Sequence, residues 1–187
     1  MAGSGHGIPR PAAPRVVPVE KVAIRATERA ATTVMQPVNL AATLAHNRVV
    51  SKMVNDAAGV FYDPAVLDPR LRELAILRMA WRTGCEYEFG QHTFGGRGVG
   101  MSDDEIRLTT RAADEGTWSS TDEAVLDAVD DLYDDDCVGD DAWDALVAVL
   151  GAEQAIALVA LAAMYRMAAG IMNSVGVQLE PDTPGWP

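Results

Sequence analysis

Basic residues are scarce in this chain. Its 187 residues include 15 lysines and arginines against 27 aspartates and glutamates, a formal net charge of −12. Such a surface repels polyanions, which excludes nucleic acid and an anionic membrane as main partners, since both need a basic footprint. Cysteine is scarcer still. Cys85 and Cys137 are the only two thiols, too few for a disulfide scaffold, and both are expected to be reduced in a cytoplasmic protein. Long apolar runs are also missing. The longest uncharged apolar stretch, between Glu153 and Arg166, has twelve residues, where a bilayer needs about 20, so it reads as a core helix. The opening MAGSGHGIPRPAAPRVVP has no apolar stretch of the secretory kind. Alternating runs of Val, Ile and Thr, the mark of strands, are absent.

What is present is enough apolar material, 49% of the residues, for one well-buried core. Residues 1–20, rich in Pro, Gly and Ala, read as a flexible N-terminal arm outside the fold, ordered at most against a neighbouring subunit. Residues 21–187 read as a single all-helical domain. Leu40, Leu44, Val50 and Met53 predict one or two helices between about 38 and 58. Asp68-Pro69 supplies an N-cap and a first-turn proline for a helix whose stripe Leu71, Leu74, Leu77 and Trp81 stops at Gly84. Cys85 opens the next helix, which the glycines at 95, 96, 98 and 100 end. Two capping boxes, Ser102 with Glu105 and Ser120 with Glu123, start helices of about 103–114 and 121–134. One helix beginning near Asp140 closes at Gly151, and a last, very apolar one covers 152 to about 172. The fold class is all-α, with about seven or eight helices.

Several features read as structural. Sixteen of the 27 acidic residues lie between Asp103 and Asp144, opposed there only by Arg107 and Arg111, and form a solvated face without the ligand spacing of a calcium loop. The glycines around Arg97 follow no strand and so terminate a helix rather than cradle a phosphate or dinucleotide. Met164, Tyr165, Met167 and Met172 read as a core or subunit-interface stripe, with a ligand pocket as the other possibility. His46 reads as a packed or capping histidine.

Chemistry concentrates around one segment. Glu73 lies on the helix before Gly84, and Gly84-Cys85-Glu86-Tyr87-Glu88-Phe89-Gly90-Gln91-His92 follows. On a helix Cys85, Glu88 and His92 share one face, Tyr87 and Gln91 another. Antiparallel packing across Gly84 would bring Glu73 to the same cluster. Two packed carboxyls cannot both ionise cheaply, so one is expected to hold a proton near neutral pH while His92 exchanges one. A helix N-terminus and a protonated His92 favour a Cys85 thiolate, whereas Glu88 disfavours it. A buried cysteine, a Glu–His hydrogen bond and an Arg78 or Arg82 salt bridge would equally suit an inert core. A metal site from Glu73, Glu88 and His92 would lack a second imidazole.

Glu73, eleven residues, Cys85, two residues, Glu88, three residues and His92 together resemble the signature of the carboxymuconolactone decarboxylase and alkyl hydroperoxidase D superfamily. The core text, LDPRLRELAILRMAWRTGCEYEFGQHTFGGRGVGMSDDEI, runs from Leu67 to Ile106, the core motif is taken as 68–115, and the likeness extends over about 35–180. The resemblance implies an all-helical homo-oligomer, commonly a trimer or hexamer with a dimer possible, whose pocket is walled by the Glu-Cys-His helices and needs no metal or cofactor. In two-cysteine members Glu and His relay protons to a Cys-x-x-Cys pair. Here Glu88 stands in place of the second cysteine, and Cys137 is 52 residues from Cys85, so dithiol cycling within the motif is impossible.

The Glu88–His92 pair resembles instead the cysteine-free, decarboxylase-like end of the superfamily, which implies acid–base chemistry on a small carboxylated or lactone-type substrate. His92 is the candidate general acid/base, Glu88 and Glu73 orient it or share its proton, and Cys85 is adjacent. Arg78 and Tyr87 are weaker candidates for seating the substrate. A single-cysteine hydroperoxidase working through Cys85 is the alternative, and a non-enzymatic ligand-binding oligomer is the second alternative.

Overall fold

The computed structural model describes residues 8–20 and 39–187. Among them the chain forms α1 (Asn39–Leu44), α2 (Arg48–Val60), α3 (Pro69–Arg82), α4 (Glu86–Gly98), α5 (Asp103–Leu108), α6 (Ser120–Asp135) and α7 (Asp140–Val175), with a 3₁₀ turn at Ala113–Glu115 and no strand. The all-α expectation holds.

Helix α3 is the centre. The Asp68 carboxylate accepts from the amides of Arg70 and Leu71, Pro69 sits in the first turn, and Gly84, at φ 61°, turns the chain into α4. All residues from Leu71 to Ala80 are buried, because α4, α6 and α7 pack around this helix on several sides. Leu74, Ile76 and Leu77 meet Phe89 of α4, Val125 and Leu126 of α6, and Leu158 and Leu161 of α7 in one continuous core. A helix enclosed in this way has no solvent side. Its polar residues Arg72, Glu73 and Arg78 must therefore be paired inside.

Several boundaries differ from the sequence reading. The second capping box is Ser119 with Asp122, because α6 starts one turn position earlier than the Ser120–Glu123 pair required. The helix expected over 103–114 ends at Leu108, and the chain then passes through the 3₁₀ turn. Gly151, at φ 77° and ψ 160°, breaks α7 into two helical segments where the sequence reading placed the boundary, joining them without a loop. Residues 8–20 lie along the chain's own surface instead of standing free. Arg10 Nε donates to the Gly84 carbonyl at 3.2 Å, Arg15 N to Val175 O at 3.0 Å and Val19 N to Ala42 O at 3.1 Å.

Helix α7 is also less buried than a core helix. It is long and apolar enough to cross a membrane by length and composition alone, and only 28% of its most apolar stretch is covered. Its inner face carries Leu158, Leu161, Tyr165 and Met172, while Ile156 and Met167 face outward at 61% and 41% exposure.

The C-terminal segment fixes α4 from outside. One Glu180 carboxylate oxygen accepts from the Tyr87 hydroxyl at 3.3 Å and the other from Gln91 Nε2 at 2.6 Å, confirming that Tyr87 and Gln91 share a face. A side chain at Gly90 would place its Cβ 2.3 Å from the Pro184 carbonyl, so only glycine lets the tail cross there. Trp186 then meets Trp81 edge-on at 5.2 Å.

Arg78 is committed to this architecture. Its Nε donates to Asp130 of α6 at 2.7 Å and its Nη1 to the Thr109 carbonyl at 2.8 Å, with further bonds to Asp130 and the Arg111 carbonyl. Those partners hold the α5–α6 connection to α3, which leaves the guanidinium no free fork for a substrate carboxylate. Removing it would leave the Thr109 and Arg111 carbonyls without this donor and Asp130 with Arg82 alone, at 2.9 Å. We expect Arg78→Ala to cost about 3 kcal/mol of unfolding free energy, read by urea denaturation.

Candidate active site

The site lies between α3, α4 and α7. Glu73, 1% exposed, projects from α3 toward α4, where His92 Nδ1 donates to its Oε2 at 2.7 Å. The other oxygen, Oε1, accepts from Arg72 Nε at 2.9 Å. Arg72 is itself buried, and its guanidinium lies 4.4 Å from the centre of the Tyr62 ring while Nη1 reaches the Phe61 carbonyl at 3.4 Å. Burial alone would raise the Glu73 pKa, but the charges and hydrogen bonds of His92 and Arg72 outweigh it and hold the carboxyl below its ordinary value. Glu73 is thus a carboxylate. Its acceptance from Nδ1–H leaves His92 Nε2 as the imidazole atom with a lone pair.

Gly95 makes this approach possible. A Cβ there would stand 2.4 Å from Glu73 Oε2, so a side chain at this position would push the carboxylate off His92. From α7, Tyr165 meets the His92 ring edge-to-face with centroids 5.0 Å apart. The Tyr165 hydroxyl donates to Tyr62, and burial pushes both phenols up.

Glu88 departs from expectation. It shares the inner face of α4 with His92 and is 2% exposed, but neither of its oxygens has a hydrogen-bond partner among the described residues. The anticipated Glu88–His92 pair is therefore replaced by Glu73–His92. Burial pushes the Glu88 carboxyl well above the ordinary range, so it is a neutral acid at pH 7. The two carboxyls are divided as the sequence suggested, with Glu88 holding the proton.

Cys85 is the N-cap of α4 rather than its first helical residue, and it is fully buried against Ala168, Ala169 and Met172. Burial pushes its thiol well above the usual value, against a weaker pull from the Glu88 and Tyr87 amides and from Arg10. The sulfur is a thiol. Tyr87 is tied to Glu180 and accepts from the Leu40 amide at 3.2 Å. A cleft of about 350 Å³ opens beside it, lined in part by Arg10, Glu86, Met172, Gln178 and Trp186, but not by Glu73, Glu88 or His92. Cys137 is exposed. Among the described residues no three His, Cys, Asp or Glu side chains come together as a metal site.

Sequence reasoning missed Arg72, Tyr62 and Gly95, and read Tyr165 as packing. Arg72 had a signal, since a charge beside Glu73 in an otherwise apolar helix needs a reason to be there. Tyr62 and Tyr165 reach the site only through tertiary packing.

Comparison with known proteins supports this frame. Residues 49–131 match the carboxymuconolactone decarboxylase family. Two solved structures share the fold. One is an uncharacterised peroxidase-related protein from Ralstonia eutropha described as an alkylhydroperoxidase AhpD core, with a TM-score of 0.78 and 16% identity, covering 90% of this chain and 93% of that one. The other is a protein of unknown function from Agrobacterium tumefaciens named as a candidate AhpD antioxidant defence protein, with a TM-score of 0.68 and 20% identity over 74% of this chain and 96% of that one. A search among curated protein sequences gave no match.

The opposite states of the two glutamates predict opposite effects of pH on stability. Glu88 keeps its proton in the folded state and loses it on unfolding above the ordinary glutamate value of about 4.3, so its contribution is full below that pH and declines as pH rises. Glu73 contributes above that value, and its contribution is lost as pH falls through its lowered one. Glu88→Gln should therefore gain stability on wild type as the medium goes from acid to neutral, whereas Glu73→Gln should lose most at neutral pH. Urea unfolding across a pH series reads both.

Proposed function

We propose that this chain, whose residues 49–131 match the carboxymuconolactone decarboxylase family, is an acid–base enzyme acting on a small carboxylated or lactone-type organic substrate. The observation that carries this reading is the 2.7 Å bond from His92 Nδ1 to a Glu73 carboxylate that is itself held by Arg72. That bond fixes the imidazole tautomer and orientation and stabilises the imidazolium formed when Nε2 takes a proton. Glu73 and Arg72 are positioning residues, and His92 moves the proton.

The chemistry this arrangement suits is removal of a proton from carbon next to a carbonyl, or its return to the carbanion left by loss of carbon dioxide. Isomerisation, lactone opening and decarboxylation share that step. Positioned acid–base catalysis contributes about 10²–10⁴-fold. In deuterium oxide, NMR should detect exchange at the acidic C–H of one or more members of a panel of 3-oxo acids and unsaturated lactone carboxylates. His92→Gln should slow it at least about 10²-fold, while Cys85→Ser leaves it unchanged. Absence of exchange across the panel would turn the reading toward a ligand-binding protein.

A single-cysteine hydroperoxidase is the second reading. It draws on the place of Cys85 at a helix N-terminus and on the peroxidase-related and AhpD descriptions of the two structural relatives. Full burial and a raised thiol pKa weigh against it. Turnover of an organic hydroperoxide with dithiothreitol, lost in Cys85→Ser, would replace the acid–base reading with this one.

The same reading includes a homo-oligomer. Its support is the outer face of α7, where Ile156, Ala160, Ala163, Met167 and Gly170 are exposed at helical spacing with no charge among them. Ile156→Asp should lower the mass found by light scattering if copies pack there.

A further inference from the structure

Glu88 is a buried carboxyl that the His92 step leaves unused. It is fully enclosed and both oxygens are unpartnered. Buried polar groups are ordinarily satisfied, and one left open marks a place where a partner arrives. Its surroundings locate that place. Glu88 and His92 stand one turn apart on α4. Tyr165 of α7 packs on the His92 ring and feels the fields of both Glu88 and Glu73.

Resting on the acid–base reading, we propose that Glu88 is the hydrogen-bond donor to the oxygen on which negative charge develops, so that the substrate is an enolisable carbonyl compound, a 3-oxo acid or lactone, held between its carboxyl O–H and His92 Nε2. His92 Nε2 takes the proton from carbon. The C–H electron pair becomes the carbon–carbon double bond, and the carbonyl π pair moves onto oxygen. Glu88 donates to that oxyanion and keeps its own proton. Return of the proton from Nε2 to the same or a conjugated carbon completes exchange or isomerisation, with no other reactant.

The charged and titratable groups around Glu88 agree with this role. On its own helix these are His92 and the Cys85 thiol; α3 supplies Glu73 with Arg72; α7 supplies Tyr165, bonded to Tyr62. Arg72 Nε and His92 Nδ1 both donate to Glu73, and no basic side chain bonds to Glu88 among the described residues. An uncompensated charge there would be costly, whereas a neutral carboxyl is an effective donor.

Two measurements on the full chain test the proposal without turnover. The infrared difference spectrum of wild type against Glu88→Gln at pH 7 should contain the carbonyl stretch of an un-ionised carboxylic acid; carboxylate bands in its place would overturn the proposal. The second uses 4-nitrophenol as an oxyanion probe, with visible absorption reporting the ionised form. Wild type should bind that form, Glu88→Gln should retain binding through its amide N–H, and Glu88→Ala should weaken it about tenfold or more. His92→Ala should still bind it while losing exchange, which separates this proposal from the base assignment. Probe binding by Glu88→Ala equal to wild type, or none by wild type, would overturn it. Glu88→Gln keeps the test standing should the alanine variant fail to fold.

Discussion

The carboxylate of Glu73 is 1% exposed, and an ion in that position is tolerated only while its donors stay in place. Arg72 supplies one from the preceding residue on α3, and His92 supplies the other from α4. Each donor has its own support. Arg72 rests on the Tyr62 ring and the Phe61 carbonyl, and His92 rests on Tyr165. The packing of α3, α4 and α7 and the geometry of the site are therefore a single constraint: a shift of α4 that lengthened the His92 bond would leave half of a buried charge uncompensated.

That constraint explains why α4 is gripped so firmly from outside. Glu180 takes hydrogen bonds from Tyr87 and Gln91, and Trp186 closes over Trp81 and Phe89. Glycine appears at the two α4 positions where another group must come close: Gly90 under the Pro184 carbonyl and Gly95 under the Glu73 carboxylate. Neither is a flexibility device. Each removes a side chain that would force the helix away from its neighbour.

Much of this was legible in the sequence, and the illegible part has a physical reason. Asp68-Pro69 and Gly84 mark α3 because caps and breakers act within a few residues, and the spacing from Glu73 to His92 carries the site because short helices joined tightly have few ways to pack. The Ser120–Glu123 capping box was misplaced because Ser119 and Asp122 offer the same chemistry one residue earlier. The sequence reading lets either Glu88 or Glu73 orient His92, and the bond runs to Glu73 across the helix pair. Helical periodicity says which residues share a face. It does not say which of two carboxyls wins a shared imidazole, since that depends on Arg72 and on the space left by Gly95.

The exchange of a second cysteine for Glu88 has a further consequence for charge. In the resting site the Glu73 carboxylate already takes the hydrogen bonds of Arg72 and His92. Had Glu88 ionised as well, it would have competed with Glu73 for those donors. Burial without a counter-charge prevents this by keeping Glu88 un-ionised. The same burial pushes the Cys85 thiol well above its usual value, so the motif that resembles a redox centre offers no ready thiolate.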